Sequence, residues 1–284
     1  MDDSGNINKH GILSASLSFL AFAAAVAPEV DAAIKPKADG ETKVVAIMGT
    51  TEWNNGISHE ICIRKIFESK NNWRIIFVRT TKFFSPELIK DADLLITYRA
   101  GIADPIDLFS EDSGVSDKLI KGSDFWNDKN VNAIIDNVRG RGMGLLALHN
   151  SIAANNSKFV DFLDVAPIPQ HEFEPLWVTR INKKHPITRD SGKFLIGQDE
   201  QYLVIIKSPS TSTLFETTAV HEKRQGVSGW ALESGNGRVV GLLPGSIIHA
   251  YQAPEYRNIV WRAAHWAMKR DIPPYPEAKN TLYD

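Results

Sequence analysis

The chain has 284 residues, 43% hydrophobic and 23% charged, with a formal net charge of −2. Those values are ordinary for a soluble globular protein, and they leave no basic footprint for nucleic acid. The one cysteine, Cys62, excludes an internal disulfide framework and any cysteine-rich metal site.

Lys9 and His10 precede an apolar run over residues 12–27, rich in Ala, Leu and Phe. The run is short for a membrane span, which needs roughly 20 apolar residues. Ala25-Val26-Ala27 and Asp31-Ala32-Ala33 follow as small-residue cleavage contexts. A charged start, an apolar run and such a site, in that order, predict a signal peptide over residues 1–33 and export to the periplasm or beyond. An uncleaved amphipathic anchor or a tail would use the same residues, and Asp2 and Asp3 weaken the charged start. Residues 34–42 read as a linker, 43–270 as the folded domain and 271–284 as a tail. No stable membrane span is expected after processing.

Residues 43–49 read as a buried strand ending in glycine. A helix is expected over about 58–70, with Ser58 as its N-cap and with Cys62 as a buried, inert thiol. Residues 73–79 form a second strand, Ser85-Pro86-Glu87 opens a short helix, and 93–98 form a third strand. Residues 101–125 are polar and without a period, in the manner of a long loop or lid. Residues 130–139 place Val131, Ile134, Ile135 and Val138 on one helix face. Gly140-Arg141-Gly142 turns into the strand 144–148, which stops at His149-Asn150-Ser151. This alternation predicts a single three-layer α/β domain, flavodoxin-like, with a mainly parallel sheet. The second half is β-rich, with strands expected at 174–181, 201–207, 213–217, 229–233 and 238–243. These extend the sheet, and a closing helix covers about 254–269.

In an open α/β sheet, ligands bind at the carboxyl ends of the strands. His149 ends such a strand, where related folds carry a nucleophile, and here the position offers imidazole and amide rather than thiol. His59 sits in the first turn of its helix, where the N-terminus keeps an imidazole neutral. His171 follows on a later loop. Any one of these could be a structural histidine. Together they form a candidate set, His59, His149 and His171, for a divalent metal, zinc or similar. His10, His185, His221 and His265 have plainer readings: targeting segment, turn, solvated loop and helix interior. Asp199-Glu200-x-Tyr202 adds two acids and a phenol. Adjacent carboxylates on a strand point to opposite faces, so at most one serves a given crevice unless the segment is a loop. His149, Glu200 and Tyr202 are the candidate catalytic groups. Trp53, Asn150 and Asp199 are the candidate substrate contacts. Trp53, Trp177 and Trp230 could each face a sugar ring, although tryptophan is more often core. There is no Gly-x-Ser-x-Gly elbow, no P-loop and no His-Glu-x-x-His helix. No Gly-x-Gly-x-x-Gly follows the first strand, so no nicotinamide cofactor is indicated.

Taken in order, these elements resemble the trehalose-utilisation ThuA-like family. They are the Gly49 loop with His59, Gly-Leu-Leu-Ala-Leu-His149, His171, His185-Pro186-Ile187-Thr188, Asp199-Glu200-x-Tyr202, Gly237-Arg238-Val239-Val240, and the closing helix from Pro254-Glu255-Tyr256 to Trp266-Ala267. The resemblance spans roughly residues 43–270 and implies a class I glutamine amidotransferase-like fold. Two departures stand out. His149 and Asn150 occupy the elbow where the amidotransferases carry cysteine, so glutamine hydrolysis is not implied. The family also tends to place Gly-His after the Gly-Arg strand, whereas Pro244-Gly245-Ser246 stands here, with His249 three residues on.

Two functions stay open. The resemblance implies an exported enzyme acting on a disaccharide or glycoside, or on its 3-keto derivative, by histidine- or metal-assisted acid–base chemistry on a small sugar substrate. The alternative is a non-catalytic sugar-binding or accessory protein with a partly lost site, which Ser246 in place of histidine favours. A cysteine-dependent amidotransferase is disfavoured.

Overall fold

The computed structural model describes residues 35–49, 56–78, 84–100, 126–169 and 173–276. The expected signal peptide, Trp53, the expected lid at 101–125 and His171 lie outside the described residues. The elements, in order, are β1 (Thr42–Met48), α1 (Gly56–Phe67), β2 (Trp73–Val78), α2 (Pro86–Ile89), β3 (Leu94–Tyr98), α3 (Asp128–Asp136), β4 (Gly144–Leu148), α4 (Ser157–Phe162), β5 (Val165–Ile168), β6 (Phe173–Arg180), β7 (Phe194–Glu200), β8 (Leu203–Ile206), β9 (Ser212–Ala219), β10 (Gln225–Ser234), β11 (Gly237–Leu242), α5 (His249–Gln252) and α6 (Pro254–Ala267).

Local chemistry sets several of these boundaries. The Asn127 side chain accepts the Asn130 N–H and caps α3, and Asn156 caps α4 by accepting from Phe159. A π turn, Asn137–Arg141, follows α3 and ends at Gly142, whose φ of 88° suits glycine. Helix α1 begins at Gly56, so Ser58 lies inside its first turn rather than capping it.

Among the described residues eleven strands form one sheet, in the order β2-β1-β3-β4-β11-β10-β9-β6-β7, with β8 on β10 and β5 on β8. The pairs β2-β1, β1-β3, β3-β4 and β4-β11 are parallel. Every pairing beyond β11 is antiparallel. The expected parallel arrangement of the first four strands is present, but the mainly parallel description holds only for this half. Two strands escape the sequence reading. β5 contains Pro167, which cannot donate to a ladder and is tolerated because β5 pairs only with β8. β7, Phe-Leu-Ile-Gly-Gln-Asp-Glu, carries no clean alternation.

Val44, Ala46 and Met48 of β1, Leu94, Ile96 and Tyr98 of β3, and Leu146 and Leu148 of β4 share a core with Cys62, Ile63, Ile66 and Phe67 of α1 and with Ile259, Val260 and Ala263 of α6. The alternate strand residues face the opposite way, and α3 and α4 pack on each other. Residues 37 and 43 tie the chain's approach to β1 into the fold, through Lys37–Asp93 at 2.9 Å and buried Lys43–Asp91 at 2.5 Å. The tail docks as well, with Trp261 donating to Pro273 at 3.0 Å. No described helix is long and apolar enough to cross a membrane.

Candidate active site at the carboxyl edge

Register aligns the ends of the parallel strands: Met48 pairs with Tyr98 and Leu148 with Leu242. The carboxyl ends of those strands therefore lie at one edge, where such folds bind ligands. His149 leaves β4 with φ 42°, a left-handed conformation that is uncommon for a non-glycine residue. Ser151 holds the turn that follows, through its Oγ contacts to Thr97 O at 2.7 Å and Thr97 Oγ1 at 2.9 Å.

His149 is wholly buried. Its Nδ1 lies 2.9 Å from the Leu243 carbonyl. A carbonyl only accepts, so Nδ1 carries the hydrogen. Burial lowers the proton affinity of the ring to a pKa of about 3, helped by His59 and opposed by the Leu243 contact. The ring is neutral at pH 7, and Nε2 presents a lone pair. That nitrogen is buried without a hydrogen-bond partner and stands 3.8 Å from Glu200 Oε2.

Glu200 ends β7 and accepts from Ser246 Oγ at 3.2 Å. Burial raises its pKa, opposed by that hydroxyl. Tyr202 meets His149 edge-on, with ring centroids 4.5 Å apart. Burial and the Glu200 charge push the phenol well above its ordinary range, so it stays a donor. Asn150 is buried, and both its amide atoms lack partners.

His59 reaches the same edge from α1. Its Nε2 lies 2.8 Å from the Gly245 carbonyl, so this nitrogen too carries a hydrogen. Tyr98 stands between the imidazoles, stacked on His59 at 4.2 Å and facing His149 at 5.7 Å. Tyr98 was not among the sequence candidates, yet the rule that singled out His149 applies to it, because it is the last residue of β3.

Asp199 departs from its expected role as a substrate contact. It is fully buried, and both of its oxygens accept backbone N–H groups, from Gly245 at 2.7 Å and Ser246 at 2.8 Å. The two neighbouring acids divide the work: Asp199 grips the loop after β11, and Glu200 faces His149. Of the expected metal set, His59 and His149 reach this edge and His171 lies outside the described residues. His59 spends Nε2 on Gly245 O, and among the described residues no three His, Cys, Asp or Glu side chains are grouped to hold an ion. The described donors that face each other, His149 Nε2 and Glu200, do not by themselves make a three-ligand site.

The other expected residues lie elsewhere. Trp230 is a core residue whose Nε1 donates to Leu163 O at 2.9 Å, and Trp177 sits on β6 beneath the Lys193 ammonium. His249 packs at Gly197, while Ser246 occupies the position beside Glu200. His265 is buried in α6 with Nδ1 on Trp261 O. Burial of Cys62 pushes its thiol up to about 11, which leaves it inert as a nucleophile.

Residues 43–267 match the family model described as ThuA, trehalose utilisation. The chain belongs to the ThuA family. Two solved ThuA-like proteins share the fold. The one from Parabacteroides merdae has TM-score 0.63 and 14% identity, over 85% of this chain and 95% of that one. The one from Bacteroides uniformis has TM-score 0.57 and 12% identity, over 88% and 99%. A glutamine amidotransferase from Thermotoga maritima is similar at TM-score 0.52 and 13% identity, over 81% and 99%. No curated protein matches the chain.

Proposed function

We propose that this ThuA-family protein is an exported carbohydrate-processing enzyme acting on a disaccharide or glycoside that carries a ketone at C3. The observation that carries this reading is the facing of a neutral, unpartnered imidazole nitrogen and a half-buried carboxylate, 3.8 Å apart, at the edge where such folds bind ligands. Unpaired buried polar atoms are costly unless a ligand meets them.

A C3 ketone acidifies the hydrogen on C2. Glu200, its proton affinity raised by burial, is the base that takes this proton. Negative charge then develops on the ketone oxygen, which needs donors already in place. The Tyr202 phenol and the Asn150 amide are the donors at hand. His149 has only a lone pair to offer, so it accepts from a sugar hydroxyl and orients the ring. The C1–O bond of the enolate breaks as the C1–C2 double bond forms. The leaving alcohol takes the electron pair and the proton that Glu200 had collected. Return of the proton to C2 would instead epimerise the sugar.

The test is to incubate the protein with 3-keto and unoxidised disaccharides, with and without chelator, and to analyse the products. Conversion of 3-keto substrates that is lost in Glu200→Gln supports the reading. Binding without turnover overturns it in favour of a sugar-binding protein.

A further inference from the structure

The loop after β11 is wired on both sides. Its carbonyls accept from four separate elements: Leu243 O from His149, Pro244 O from Tyr256, Gly245 O from His59 and Tyr98, and Ser246 O from Tyr98. Its N–H groups converge the other way. Gly245 donates to Asp199 Oδ2 at 2.7 Å, Ser246 to Oδ1 at 2.8 Å, and Ile247 to Oδ1 at 3.4 Å. Gly245 has φ 116°, open to glycine, which lets successive N–H groups point into one concavity. Such a concavity suits the oxygens of a carboxyl group, and here both belong to Asp199.

We infer that Asp199 is a positioning residue: its buried carboxylate sets the peptide planes of residues 243–247, and those carbonyls fix which nitrogen carries the hydrogen on His149 and on His59. Asp199 itself faces no reacting atom. Its effect on His149 travels through Gly245, Pro244 and the Leu243 carbonyl. An aspartate is required because Gly245 and Ser246 address different oxygens. An asparagine would turn its amide N–H₂ on one of those donors. Because Nδ1 is pinned as N–H, Nε2 faces Glu200 as a lone pair. With the loop released, the ring is free to take the opposite tautomer and face Glu200 with N–H.

The inference rests on the proposed reading of His149 and Glu200, but its test needs no substrate. Long-range proton–nitrogen spectra of the full chain labelled at histidine nitrogen would show His149 wholly as Nδ1–H at neutral pH. Asp199→Asn should give a folded protein in which the two His149 nitrogen resonances converge toward a tautomer mixture. A folded Asp199→Asn with His149 still wholly Nδ1–H overturns the inference. Should that variant fail to fold, Asp199→Glu takes its place, with hydrogen exchange at the Gly245 amide reporting whether the contact is broken. A broken contact with an unchanged tautomer overturns the inference equally. On a processed substrate, kcat should fall about 10-fold or more with KM little changed, as for other groups that fix an imidazole's tautomer and orientation through its second nitrogen. A shifted tautomer with unchanged turnover would sink the assigned role of His149 and leave the inference about Asp199 standing.

Discussion

His149 and Glu200 approach each other from different halves of the sheet. The imidazole leaves β4 in the parallel half, the carboxylate ends β7 at the far side of the antiparallel half, and their side chains come within 3.8 Å. The β7 end is carried there by the loop after β11, which Asp199 holds through three N–H groups and Glu200 touches through Ser246. The site is thus closed only when both halves have formed.

The pH dependence of turnover should follow Glu200 rather than His149. The imidazole stays neutral down to a pKa of about 3, while burial raises the glutamate. A base must be ionised, so the rate should rise with pH through a limb lying above the ordinary glutamate range. Glu200→Gln should lower turnover by about 10²–10⁴-fold. A limb near 3 in the wild type would show that the imidazole governs the profile.

The left-handed backbone at His149 separates strain from function. His149→Ala and His149→Gly both remove the ring and should abolish turnover, whereas His221→Ala in a surface turn should leave it intact. Glycine alone relieves φ 42°, so His149→Gly should be more stable than His149→Ala by about 1 kcal/mol in urea unfolding. Equal stabilities would mean that no strain is held there.

Asp199 should set a stability trend with the unusual sign. Burial pushes its pKa in the fold up to about 7, against the opposing N–H donors, from an ordinary value of 3.8. The folded state holds this proton more tightly, so the contribution is fully present below the ordinary value and is lost as pH rises through about 7. Tyr98, Tyr251 and Tyr256 face the group but stay neutral across this window, their phenols pushed up by burial. Glu200, the neighbouring acid, titrates as well. In a Glu200→Gln background, unfolding free energies from pH 4 to 8 should show the parent losing stability relative to Asp199→Asn as pH rises. A constant difference would contradict the trend.

Gly241 is fixed by packing. A Cβ there would lie 2.2–2.4 Å from three atoms of the Trp230 ring. That ring is buried and tied to Leu163, so it cannot yield cheaply. Gly241→Ala should cost about 3 kcal/mol, at the upper end of overpacking. Gly140→Ala, with nothing within 4 Å, should change stability by no more than about 1 kcal/mol. Thermal unfolding of the pair checks this.

Export by cleavage predicts a mature chain that begins at about residue 34, because the charged start, apolar run and small-residue sites occur in order. N-terminal sequencing of protein from its native host would show this, and recovery of Asp2 or Asp3 would rule it out.

The parallel half was legible because its signals are local. Short apolar runs alternate with a 3.6 period, Pro86 opens its helix, and His149 stands where an apolar strand stops. Strand direction then places His59 and His149 at one edge without any coordinate. The antiparallel half was less legible, since β5 carries a proline and β7 no alternation. The chemistry of the site was decided by tertiary contact alone. The tautomer of His149 depends on a carbonyl 94 residues away, that of His59 on one 186 residues away, and the grip of Asp199 on an N–H 46 residues away. No local pattern encodes which peptide group a side chain will meet across such separations. The sequence already sends the Asp-Glu pair to opposite faces and makes Glu200 the catalytic candidate, but only the folded loop shows that Asp199 holds the backbone rather than a substrate.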